Sequence, residues 1–179
     1  MSYDRVAFIG LGLIASSMFW AMRRAGMGAH VTGYARSEQT RATAREIGLC
    51  DMVCDDLASA VREADLVVLC LPVGAMGTVM AEAAPYIKPG ATITDVGSGK
   101  CAVVEAVTPH VPPGVHFVPG HPLAATEHSG PRAGFAALVD NRWGPLTPDR
   151  PAHPGLPQRS SHSHAHSAEG RTTGAYPTR

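Results

Sequence analysis

The sequence carries no net charge: 15 Lys and Arg stand against 15 Asp and Glu in 179 residues. It also has no basic run, which excludes the electrostatic footprint of a nucleic-acid binder. No apolar run approaches the roughly 18 residues of a membrane helix, so no membrane partner is expected. The N-terminus, Met1-Ser2-Tyr3-Asp4-Arg5, leads straight into a strand pattern and lacks a signal-peptide shape. The cysteines, Cys50, Cys54, Cys70 and Cys101, are spaced neither as a zinc site nor as a redox C-x-x-C. Reduced thiols in a cytoplasmic protein, with no metal, are the expectation. One domain of about 150 residues can bury roughly 70% of its unfolded surface, enough for a proper core.

What is present begins at Val6-Ala7-Phe8-Ile9, an apolar run too short for a helix and suited to a strand buried on both faces. Gly10-Leu11-Gly12-Leu13-Ile14-Ala15 follows, with the spacing G-x-G-x-x-A, and then a helical pattern through Ile14, Met18, Ala21, Met22 and Ala25. Gly10 permits the tight turn, Gly12 lets a pyrophosphate approach the backbone, and Ala15 is small enough for close packing of helix on strand. The helix N-terminus adds unpaired N–H groups and a partial positive charge. This predicts a dinucleotide site.

Strand and helix patterns then alternate. Strands are predicted over His30–Tyr34, Met52–Val53, Asp65–Leu71, Ala91–Val96 and Val115–Val118. Helices are predicted from Ser37 to about Ile47, over Asp56–Ala64, from Pro72-Val73-Gly74 to near Tyr86, and over Lys100–Val107. Such alternation predicts an α/β fold with a doubly wound, mostly parallel sheet, binding its ligand at the carboxyl ends of the strands.

Three places on that rim carry chemistry. The second strand ends in Tyr34-Ala35-Arg36-Ser37. A carboxylate about 20 residues after the glycines would hold a ribose 2′-hydroxyl, but Ala35 takes its place. Arg36 and Ser37 suit a 2′-phosphate, and equally an ordinary solvated helix start. Asp95 to Lys100, DVGSGK, hints at a phosphate loop, but Thr94 and Cys101 break that pattern. Ser98 remains of interest at a strand's carboxyl end. His121, in Gly120-His121-Pro122, is the catalytic candidate, because a neutral imidazole there can accept a proton from a substrate hydroxyl.

The motifs GLGLIASS (10–17), LPVGAM (71–76), DVGSGK (95–100), GHPLAATEHSG (120–130) and NRWGPLTP (141–148) together resemble the prephenate/arogenate dehydrogenases of tyrosine biosynthesis. The resemblance implies a Rossmann domain that binds NADP or NAD. Its expected cofactor contacts are Gly10, Leu11, Gly12, Leu13, Ile14, Ala35, Arg36, Ser37, Leu71, Pro72 and Val73. It also implies oxidative decarboxylation of a small molecule, prephenate or arogenate, with His121 engaging the ring hydroxyl and Ser98 positioning it. Thr126 and Glu127 would contact substrate, Glu127 at the mouth of the site. The departures from the family pattern are Ala15, Ala125 and Gly99.

The family continues past the L-T-P segment into a helical domain that supplies its dimer interface and cations for substrate carboxylates. Here the composition turns to Pro, Ser, His, Arg and Gly after Pro148. The expected organisation is a dinucleotide-binding domain over 1–148 and a disordered tail over 149–179, without the dimerisation domain. Out-of-frame reading of a GC-rich gene would give that tail composition. His162, His164 and His166 are read as part of the tail rather than as metal ligands.

Overall fold

The computed structural model describes residues 3–120 and 129–139. Six strands form one parallel sheet: β1 (Arg5–Ile9), β2 (His30–Tyr34), β3 (Met52–Val53), β4 (Leu66–Leu69), β5 (Thr92–Asp95) and β6 (His116–Phe117). Their order is β3-β2-β1-β4-β5-β6. Between them run α1 (Leu13–Arg24), α2 (Glu38–Glu46), α3 (Leu57–Val61), α4 (Val73–Ala83) and α5 (Lys100–Val107). This is the doubly wound α/β arrangement that the alternation of patterns predicts.

The central strand explains its own composition. Successive side chains leave a strand on opposite faces. Val6 and Phe8 of β1 join Val31, Val68, Ala15, Met18 and Phe19 in one core. Ala7 and Ile9 join Val67, Leu69 and Ile93 in the other, beneath Met76 and Met80 of α4 and Val103 and Val107 of α5. A strand covered on both sides needs an unbroken apolar run. Each large side chain so buried contributes about 1.5–3 kcal/mol.

Several elements are shorter than their sequence patterns. The Asp65–Leu71 run pairs only over Leu66–Leu69. Asp65 instead turns its carboxylate to the amides of Asp4 and Arg5, at 3.1 and 2.9 Å. The predicted helix over Asp56–Ala64 contracts to Leu57–Val61, with Asp56 as its cap, accepting from the Ser59 amide at 2.7 Å. Gly33, in mid-strand, is required by packing. A Cβ there would lie 2.7 Å from Cys50 Sγ and 2.8 Å from Leu11 Cδ2.

The segment 129–139, for which the sequence patterns predict no element, folds back onto α1 through two short 3-10 turns, Pro131–Ala133 and Ala136–Val139. Gly134 sits so close to α1 that a Cβ would fall 2.2 Å from Ser16 Cβ. The Phe135 amide donates to Ser17 Oγ at 3.2 Å, and Arg132 pairs with Glu46 of α2. The 149–179 tail lies outside the described residues, as do His121, Thr126, Glu127 and Ala125.

Among the described residues no helix is long and apolar enough to cross a membrane. The four cysteines are free.

Candidate functional site

The sheet order places the site. β1 has β2 on one side and β4 on the other, so the chain leaves these neighbouring strands toward opposite directions of the sheet. Between their carboxyl ends lies the crevice where open α/β sheets take ligands.

Gly10 turns the chain out of β1 with φ +95°, a region that favours glycine. Its amide donates to the Tyr34 carbonyl at 2.8 Å. A Cβ on it would lie 2.3 Å from the Cys70 carbonyl oxygen, so no other residue fits. Gly12 caps α1 with extended backbone, and no side chain caps the helix in its place. A Cβ on Gly12 would meet nothing within 4 Å. That open space lies over a helix N-terminus whose first amides have no intrahelical acceptor, which suits an anion brought against the backbone. The first turn of α1 holds no acidic residue to compete.

The remaining cofactor candidates divide by burial. The side chains of Leu11, Ala15 and Ala35 are core, so Leu11 and Ala35 can offer a ligand only backbone. Leu13 and Ile14 are half-buried at the start of α1. Leu71 and Val73 are half-buried, and Pro72 is exposed, where β4 passes into α4. Pro72 is the N-cap of α4, so a second helix begins on the same rim.

At the end of β2, Arg36 is exposed. Ser37 caps α2, accepting from the Thr40 amide at 3.4 Å. The sequence reading missed Arg41. Its guanidinium donates to the carbonyls of Ala35 and Arg36, at 2.7 and 3.1 Å, and so braces this turn from beneath. Arg41 also pairs with Glu38, and Arg45 pairs with Glu38 and Asp55. The nearby carboxylates are thus matched by cations.

The other missed residue is Asp95, quoted within DVGSGK but given no role by the sequence. Its side chain is fully buried. One oxygen accepts from the Gly97 amide at 2.7 Å and pairs with Lys100; the other accepts from the Gly120 amide at 3.1 Å. Gly97 is needed there, since a Cβ would fall 2.9 Å from Val103 Cγ2 and 3.2 Å from the carboxylate. Ser98 stands exposed at the tip of this turn. At Gly99, the N-cap of α5, a Cβ would meet only Ala102 Cβ at 3.9 Å, so a larger residue would fit. A carboxylate ending a buried strand, with a lysine five residues on, was the available signal.

Two thiols near the crevice are chemically quiet. Burial, helped by the Asp95 charge, pushes the Cys70 thiol up. Burial likewise pushes Cys50 up to about 12, with Asp51 adding to the effect. Both stay protonated at neutral pH and are poor nucleophiles.

An apolar groove of about 480 Å³ lies at the opposite end of α1, lined by Tyr3, Met18, Met22, Met27 and Val139. Among the described residues no converging set of polar groups marks it as the reaction site.

The family model described as prephenate dehydrogenase, nucleotide-binding domain, matches residues 20–155. That match starts inside α1, past the glycine turn. The chain is 46% identical over 147 residues to the cyclohexadienyl dehydrogenase of Zymomonas mobilis, covering 82% of this chain and 50% of that protein. It thus spans about half the length of that curated relative. Among solved structures it is similar to the prephenate dehydrogenase of A. aeolicus in complex with hydroxyphenyl propionate and NAD+, with a TM-score of 0.68 and 26% identity. That likeness covers 78% of this chain and 48% of the other. The arogenate dehydrogenase of Synechocystis gives a TM-score of 0.67 and 30% identity, covering 75% and 46%.

Proposed function

This chain belongs to the family of the prephenate dehydrogenase nucleotide-binding domain, and on that premise we propose that it binds NADP or NAD in the β1–α1 crevice and serves the oxidative decarboxylation of prephenate or arogenate. The observation that carries the cofactor reading is the contrast between Gly10 and Gly12. One admits no side chain, and the other opens on empty space at a helix N-terminus. Gly12, Leu13 and Ile14 would hold the pyrophosphate through backbone amides. Arg36 and Ser37 would meet the ribose of the adenosine half.

The nicotinamide, when bound, supplies the hydride acceptor. The chain's own residues would handle the proton and the orientation. His121 takes the proton of the ring hydroxyl, which needs a neutral imidazole near neutral pH. Ser98, exposed beside the crevice, orients that hydroxyl, with Thr126 and Glu127 as further substrate contacts. Loss of carbon dioxide then makes the ring aromatic.

A second reading is a domain that binds the dinucleotide without turning substrate over. One experiment tests both. The 179-residue chain is titrated with NADP and NAD by calorimetry, then assayed with prephenate and with arogenate. Dinucleotide binding is the expected result under both readings, and little or no turnover would assign this chain the second role. Turnover near the roughly 10 s⁻¹ typical of enzymes would assign it the first. Absence of dinucleotide binding would overturn both.

A further inference from the structure

Asp95 occupies a core position. On its face of β5 stands Ile93, and beyond Ile93 across the ladder lies Phe117, both buried. The neighbouring strand fills the same face with Val67 and Leu69. An aliphatic residue would be the ordinary choice, because burying a carboxylate costs several kcal/mol unless it is paired and hydrogen-bonded. Asp95 has three donors, and they come from two separate loops. Gly97 and Lys100 belong to the turn that carries Ser98, while Gly120 belongs to the chain leaving β6.

Lys100 gives independent support. It is the first residue of α5, and that helix has no acid in its first turn. A cation at a helix N-terminus opposes the dipole, so this lysine is misplaced for its own helix. Its placement makes sense as the counter-charge of Asp95. Gly97 and Gly120 lie outside the strands, and the Asp95 carboxylate accepts from the amides of both.

We propose that Asp95 is a positioning residue: it ties the Ser98 turn to the chain at Gly120, which precedes His121 in sequence, and so holds these two loops together with one buried side chain. This rests on the proposed function for the roles of Ser98 and His121. The tie itself is independent of those roles.

The test uses the full 179-residue chain and nuclear magnetic resonance. In the wild type, the Gly97 and Gly120 amides exchange slowly with solvent, roughly 100-fold or more below unfolded rates. In Asp95→Asn, which keeps the side-chain size but loses the charge, both amides lose protection together by about tenfold or more. The ring resonances of His121 shift, those of His110 and His116 stay, and the amides of Gly10 and Gly12 keep their positions. Two results would overturn the proposal: fast exchange at Gly120 in the wild type, or unmoved His121 resonances in the variant. The wild-type exchange decides the matter even where the variant fails to fold. Failure of the functional reading looks different: no dinucleotide binding and no turnover, with the Asp95 signatures intact.

Discussion

Two turns of this molecule resemble each other in sequence and differ in purpose. Gly10 to Ala15 and Val96 to Lys100 each join a buried parallel strand to a helix, and each carries two glycines separated by one residue. Neither helix has a side-chain cap, and in the first turn Gly12 opens on empty space. It is the proposed cradle for an anion. In the second the anion is already built in, because Asp95 takes the Gly97 amide and the Gly120 amide. A turn whose amide is already taken by a carboxylate of the protein, as the Gly97 amide is here, has one donor fewer for a phosphate. That is the physical reason for rejecting DVGSGK as a phosphate loop, beyond its failure to match the pattern.

The comparison is most easily broken at its glycines. Gly10→Ala forces a side chain into positive φ and against the Cys70 carbonyl. Strain and overpacking together are expected to cost about 3–5 kcal/mol, read as a fall in the urea midpoint or as loss of folded protein. Gly99→Ala, at φ −95° with open space, should stay within about 0.5 kcal/mol. Equal costs at the two positions would erase the distinction between the turns.

A second contrast sharpens the built-in anion. Asp65 and Asp95 have the same kind of donor set, two backbone amides and one lysine. They differ in burial: the Asp65 side chain is 34% exposed and that of Asp95 is 0%. Lys100→Met strands a buried charge and should cost about 3 kcal/mol. Lys88→Met leaves a solvated one and should cost about 1 kcal/mol or less. Denaturant titration of both variants separates them, and a larger loss at Lys88 would contradict the role given to burial.

At the β2 end, Arg36→Ala tests the open cradle's other half. An Arg–phosphate contact of about 1.5–3 kcal/mol gives roughly 10- to 100-fold tighter NADP than NAD. Calorimetry should show that preference in the wild type and its loss in the variant. An NAD preference unchanged by the substitution would leave Arg36 as a solvated helix start.

The smallest effect is a pH dependence. The hydrogen bond from Lys88, then that from the Arg5 amide, holds the Asp65 carboxyl below its usual range. A carboxylate whose folded pKa is depressed stabilises the fold above its unfolded value, about 3.9, and that contribution fades as pH falls through the lower folded value. Asp65→Asn should therefore be less stable than wild type near pH 7, with the gap closing below about pH 4. Parallel stability curves down to pH 2 would contradict the assignment.

How much of this was legible beforehand follows the range of the forces. Strands and helices could be read because each depends on neighbours a few residues away. β1 shows itself as an unbroken apolar run, α2 by the Ser37 cap, and the turn between β1 and α1 by glycines one residue apart. The strand ends were overestimated where a side chain such as Asp65 takes amides outside the ladder. Arg41 and Asp95 were missed because their partners are set by packing. The Arg41 guanidinium finds carbonyls five and six residues back across a turn, and Asp95 finds an amide 25 residues on. The same holds for Gly134, whose need to be glycine arises only where it meets Ser16 of α1. By itself the sequence determined which segments are strands and which are helices, since periodicity, capping and side-chain size act locally. Tertiary structure alone decided that β1 lies beside β4, that β6 ends beside β5, and that one buried carboxylate joins two loops there. A buried charge is satisfied only by the donors that the completed sheet brings within about 3 Å.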